Sequence, residues 1–267
     1  MRIQSLIAPA MLAAALSVLT CLPAAAAEAP AATVPLEIQH NVAQYALVQG
    51  KLVNGYLSQP VKKQNNPPGV ILIPMWWGLN QHMRDVADQL ARHGYVALVV
   101  DLFNGHSTRD RTEAAHLADV ADSNPGATLS NLEQAVSYMT AKQHVGSLGV
   151  IGWSFGGGWA YRIASDLPQD LGALVVFYAP PSIEPSQLTS LRMPILAFFG
   201  GRDPFVPPEL VSKFQWAAGL AGVALTIHIY PDANVAFDDP DSTSYNQKDA
   251  EDAWQQLYAF LASNLKQ

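Results

Sequence analysis

The chain has 267 residues, 49% of them apolar, a formal net charge of −7 and one cysteine. Mild acidity without a basic cluster argues against nucleic acid as a partner, and a lone cysteine excludes a disulfide framework. The length suits one α/β domain with a large core.

Residues 1–27 read as a secretory signal. Arg2 supplies a thin positive region, Leu6 to Leu22 is apolar except at Pro9, Ser17 and Thr20, and Ala25-Ala26-Ala27 precedes Glu28 as a cleavage-like run. A membrane anchor is the rival reading, but the apolar stretch is short and ends in small residues. Lipid attachment at Cys21 is disfavoured by the preceding Val18-Leu19-Thr20. Cleavage would leave about 240 residues with no cysteine, and loss of Arg2 would take the charge from −7 to −8. The expected location is periplasmic or secreted, without membrane contact after signal removal.

An Ala/Pro-rich lead-in, Ala24 to Val34, comes before the fold, which is expected over 28–267 as a single domain. Leu36 to Ser58 alternates apolar and polar residues around Gly50 and Gly55, predicting antiparallel edge strands. Gln59 to Pro68 is polar and Pro-rich, a loop. From Val70 the pattern becomes strand–helix–strand. Buried strands are predicted at Val70–Ile73, Tyr95–Leu102, Leu148–Ile151, Leu171–Tyr178, Ile195–Phe199 and Leu225–Tyr230. Helices are predicted at Leu79–His93, with Gly94 as cap, and at Thr112–Ala121, Leu129–Ala141, Pro208–Ala218 and Ala250–Leu265. This alternation implies a mostly parallel central sheet with helices on both faces.

The strongest motif is Gly152-Trp153-Ser154-Phe155-Gly156-Gly157-Gly158, a G-x-S-x-G run between a buried strand and a helix. A serine there must occupy a strained turn, which the flanking glycines permit. Ser154 Oγ would stand at the carboxyl edge of the sheet, with the Phe155 backbone N–H and the helix N-terminus aimed at a developing oxyanion. The acid of such a site follows a later strand. Phe198-Phe199-Gly200-Gly201-Arg202-Asp203-Pro204 provides Asp203, which could otherwise serve only as a turn cap.

Together these motifs resemble the dienelactone hydrolase family of α/β-hydrolases. The resemblance runs from about Gly55 to the C-terminus, through Gly55-Tyr56-Leu57, Trp77-Gly78-Leu79-Asn80, Asn80 to Asp85, the elbow, Gly201-Arg202-Asp203 and Tyr230-Pro231 to Phe237. It implies an ester or lactone hydrolase without a cofactor, acting on a small molecule, with Ser154 as nucleophile, Asp203 as orienting acid, and the Phe155 and Trp76 N–H groups as oxyanion hole. Better-known members use cysteine in the elbow, so Ser154 marks the serine version. Three positions depart further. Val235 stands where the family has its histidine, Met75 where a glutamate is usual, and Asp238 and Asp239 where a carboxylate-binding arginine is expected.

The chain has seven histidines. His82, His93, His116 and His144 fall on predicted helices or their ends, His40 in the edge region, and His228 within a strand, low on the sheet. His106, in the loop after the Tyr95–Leu102 strand, is the candidate substitute base, since loops at that edge line active sites. No histidine pairing has metal-ligand spacing, so no metal is expected. Without a base, serine is a weak nucleophile. In a serine protease, losing the histidine costs ~10⁶ in turnover, while the oxyanion hole and binding leave ~10³–10⁴ over water. Two readings follow: a serine hydrolase whose base is not evident, or a catalytically degenerate member that binds an apolar ligand or partner. Trp76, Trp77, Phe103, Trp153, Phe155 and Phe237 would line the pocket of the latter, unless several are simply core.

Overall fold

The computed structural model describes residues 35–62 and 64–266. The expected signal, Cys21 and the lead-in to Val34 lie outside the described residues.

Strands β1 (Ile38–Val48) and β2 (Lys51–Pro60) form an antiparallel hairpin. Its two loop residues, Gln49 and Gly50, both have positive φ, as the twist of a two-residue hairpin demands. Gly55 lies inside β2 and does not break it. A Cβ there would stand 2.5 Å from the Val99 carbonyl oxygen, so glycine lets β2 pack closely on strand β4 (Val96–Val99). Strand β3 (Pro68–Ile73) is followed by helix α1 (Gln81–Arg92), whose start is capped by the Asn80 side chain accepting from Met83 N. Gly94, with φ +91, ends it as expected.

The predicted strand Tyr95–Leu102 is paired only over β4. Beyond Val100 the buried Asp101 carboxylate accepts from the N–H groups of Phe103 and Gly105, which bends the chain into a turn. Helices α2 (Arg111–Ser123) and α3 (Pro125–Ser137) follow, α3 ending in a π-helical turn over Tyr138–Lys142. Then come β5 (Ser147–Trp153), α4 (Phe155–Asp166), β6 (Ala173–Phe177), the short α5 (Pro185–Leu188), β7 (Ile195–Gly200), α6 (Pro208–Ala221), β8 (Leu225–Tyr230) and α7 (Gln247–Leu265).

Among the described residues the strands form one eight-stranded sheet in the order β1-β2-β4-β3-β5-β6-β7-β8. The β1–β2 and β2–β4 pairings are antiparallel, and all others are parallel. One core joins the sheet to α3, α4 and α6, through residues such as Leu132, Ile163 and Phe214. The other joins the opposite face to α1 and α7, through Leu90, Leu257 and Trp153. Side-chain alternation along β5 sends Val150 to the first and Ile151 and Trp153 to the second. The parallel strands all end at one edge, where the loops that follow them gather. No described helix is long and apolar enough to cross a membrane.

Candidate active site

Ser154 stands between β5 and α4 with φ 50° and ψ −115°, a conformation that costs a residue with a side chain about 1–3 kcal/mol. The surroundings hold it there. Its N–H donates to Phe177 O at the end of β6, and its carbonyl accepts from Gly157 and Gly158. A Cβ on Gly152 would meet Gly156 O at 2.5 Å and Gly157 Cα at 2.7 Å. A Cβ on Gly156 would collide with the carbonyl oxygens of Ile73 and Pro74. The glycines therefore serve two purposes: they allow the turn, and they bring α4 against the loop after β3. That loop carries Met75, Trp76 and Trp77. Ser154 is half-buried, and its hydroxyl makes no capping bond to α4. Phe155 is the first helical residue, so its N–H has no intrahelical acceptor.

Asp203 lies in the turn after β7 and is 2% exposed. Its Oδ1 accepts from Phe205 N at 2.8 Å and Val206 N at 3.3 Å. Among the described residues its Oδ2 is buried without a hydrogen-bond partner. Burial pushes its pKa up from the ordinary carboxylate value, against the two backbone donors. This turn is fastened to the loop after β8, as Gly201 N donates to Tyr230 O and Arg202 N to Ala233 O. A Cβ on Gly200 would lie 2.6 Å from Ala233 O. Val235 sits half-buried in that second loop, its N–H on the Asn234 side chain, followed by Ala236 with φ 59°.

Four segments meet at one further carboxylate. Asp238 is 2% exposed, and its Oδ2 accepts from Trp153 Nε1 at 3.0 Å while its Oδ1 accepts from Tyr178 Oη at 2.8 Å. Tyr178, with φ 40° just past β6, also places Oη 3.8 Å from Met75 Sδ. Burial raises the Asp238 pKa, opposed by the two donors, and burial with Asp238 beside it holds the Tyr178 hydroxyl well above its usual range. The network thus links the loop after β3, the elbow, the end of β6 and the loop after β8. Sequence reasoning marked Asp238 only as a missing arginine and did not single out Tyr178. Nothing in their spacing signals that residues 75, 153, 178 and 238 converge.

The aromatic residues divide. Trp153 and Phe237 are core, stacked against or beside Phe177. Phe103 packs on Phe155 with centroids 5.7 Å apart, and Trp76 lies 5.0 Å from Trp77, the last three being half-buried around the elbow. His106 is exposed, in a loop whose backbone abuts Gly78. His228 is a strand residue as read, its ring 5.5 Å from that of Phe198. His82 is half-buried in the first turn of α1, its Nδ1 3.6 Å from Asp239 Oδ1. A cavity of about 520 Å³ opens along α4 beside Gly158, Tyr161 and Arg162, and neither Ser154, Asp203 nor Val235 lines it.

Comparison with known proteins gives a consistent result. The profile of the dienelactone hydrolase family matches residues 53–265. A Synechocystis protein provisionally named carboxymethylenebutenolidase is 29% identical over 245 residues, covering 82% of this chain and 94% of its own length. One of the same provisional name from Escherichia coli is 29% identical over 225 residues, covering 78% and 82%. The crystal structure of a provisionally named dienelactone hydrolase from Klebsiella pneumoniae superposes with a TM-score of 0.75 at 25% identity, covering 85% of this chain and 99% of that one. With the strand order and the β5–α4 elbow already described, the match shows that the chain belongs to the dienelactone hydrolase family.

Proposed function

We propose that this protein is an exported hydrolase of small esters or lactones, with Ser154 as nucleophile. Asp203 is its buried acid, and the Phe155 and Trp76 N–H groups receive the oxyanion. The observation that carries this reading is the Ser154 backbone, held at φ 50° and ψ −115° by close packing of Gly156 on the loop that bears Trp76. A strained position is retained only where its surroundings over-determine it, and such positions cluster at active sites. The relatives' provisional names agree with a lactone substrate, but the carboxylate-binding arginine has no counterpart at Asp238 or Asp239. The substrate is therefore an ester or lactone that does not depend on that contact. Turnover of an activated ester by the parent and by Ser154→Ala is the test. Equal rates would refute the assignment.

A binding-only role has one observation in its favour: Asp203 Oδ2 is buried without a partner while Val235 stands at the histidine position. The same assay separates the two readings. Export rests on residues 1–27, and intact-mass measurement of the extracytoplasmic protein should give a chain starting at Glu28. A mature chain that retains Met1 would refute it.

A further inference from the structure

We propose that His82, oriented by Asp239, is the base that accepts the Ser154 proton. This rests on the hydrolase reading above and supplies the group that reading lacks.

The seven histidines stand in quite different places. His144 is exposed in the turn before β5, at the opposite edge of the sheet. His116 is exposed on α2, and His93 is stacked on Tyr258 at the far end of α1. His40 lies on β1 beside Asp88 of α1. His228 is within β8, and His106 is exposed in the loop after β4, its backbone against Gly78. His82 alone is half-buried at the edge where the parallel strands end, beside a carboxylate of the loop after β8.

Its chemistry is right for the task. Nδ1 faces Asp239 Oδ1 at 3.6 Å, and a shift of about half an ångström would make that a hydrogen bond. Such bonds are often long in the absence of substrate. A carboxylate on Nδ1 fixes the tautomer that leaves the Nε2 lone pair free to accept a proton. Asp239 is itself 7% exposed and held by the Asp241 N–H on the same oxygen. The neighbouring Asp238 is bonded to Trp153, the residue before Ser154. The unpartnered Asp203 Oδ2 fits the same account. The acid after β7 has no imidazole at position 235, and α1 and the loop after β8 bring a second imidazole and carboxylate to 3.6 Å from each other.

The reaction then balances without a co-reactant. Nε2 of His82 takes the hydroxyl proton as Oγ bonds to the carbonyl carbon, and the carbonyl π pair moves onto oxygen at the Phe155 and Trp76 N–H groups. The imidazolium returns the proton to the leaving alkoxide as its C–O bond breaks, leaving alcohol and acyl-Ser154. Water attacks the acyl carbon and gives its proton to Nε2. Collapse expels Ser154 Oγ, which takes that proton back.

The experiment measures labelling of Ser154 by a small fluorophosphonate, and turnover of an activated ester, in parent, His82→Ala, His82→Gln, Asp239→Asn and Ser154→Ala. Thermal melting identifies the folded variants, and His82→Gln serves if His82→Ala fails to fold. The expected result is a loss of roughly 10²–10⁴-fold in both rates on removing His82, a smaller loss for Asp239→Asn, and partial recovery of His82→Ala by added imidazole. His144→Ala should match the parent. If Ser154 is required but the folded His82 variants keep the parent rates, or lose rate without recovery by imidazole, the assignment of His82 fails and the hydrolase reading stands. If the folded parent is not labelled at Ser154, or Ser154→Ala is as active as the parent, both fail.

Discussion

Trp153 Nε1 donates to Asp238 Oδ2 at 3.0 Å, so the residue before the elbow serine is tied to the loop that follows β8. The other oxygen of the same carboxylate takes the Tyr178 hydroxyl at 2.8 Å. Asp238→Ala leaves both buried donors unsatisfied. It should destabilise the protein by roughly 2–6 kcal/mol, from about 1–3 kcal/mol for each group. Asp238→Asn keeps one acceptor and should lose less. Urea unfolding with an unchanged m-value would measure both losses, and no loss in Asp238→Ala would show that the donors find other acceptors.

The strain at Ser154 makes a separate prediction. Ser154→Gly removes the Cβ at φ 50° and should raise stability by roughly 0.5–2 kcal/mol, the relieved strain less the entropy of a more flexible unfolded chain. Ser154→Ala keeps the Cβ and should leave stability near the parent. Paired melting curves decide it, and a glycine variant no more stable than the alanine variant would mean that the turn is unstrained.

Val235→His should raise ester turnover above the parent. The loop around position 235 is backbone-bonded to the Asp203 turn, so an imidazole there is offered a buried carboxylate oxygen that now has no partner. The gain should fall far short of the ~10⁶ attached to histidine loss in a serine protease, because His82 already serves as base in the parent and because Met75 and the apolar wall were never adjusted to a polar ring. The control is Val235→His with Ser154→Ala. A folded variant no faster than the parent would mean that residue 235 does not stand over the elbow.

Asp203 should make stability depend on pH. Burial raises its folded-state pKa above 3.8, so the folded protein holds this proton more tightly than the unfolded chain. Its contribution is fully present below the unfolded pKa and is lost as pH rises through the folded one. Asp203→Asn cannot ionise and still offers Oδ1 to Phe205 N. The difference in melting temperature, variant minus parent, should therefore be more positive at pH 7 than at pH 4. A difference independent of pH would mean that the carboxyl titrates normally.

Much of this protein was legible in the sequence. Apolar runs such as Val70–Ile73 and Ile195–Phe199 specify buried parallel strands because both faces of each must be covered. The intervening helices carry their apolar residues on one side for the same reason. Gly152 and Gly156 mark the elbow, since only glycine lets β5 turn into α4 against the Ile73 and Pro74 carbonyls. These are local signals, written in periodicity and in the absence of a Cβ. Tertiary structure alone decided that Asp238 bonds Trp153 and Tyr178, that Asp203 keeps one oxygen unpartnered, and that His82 of α1 faces Asp239. Those pairs lie 60 or more positions apart where the hydrogen bonds are made, and His82 and Asp239 are farther still. No spacing rule reaches across a parallel sheet, whose strand order brings loops distant in sequence to one edge, and burial there decides which polar groups must pair.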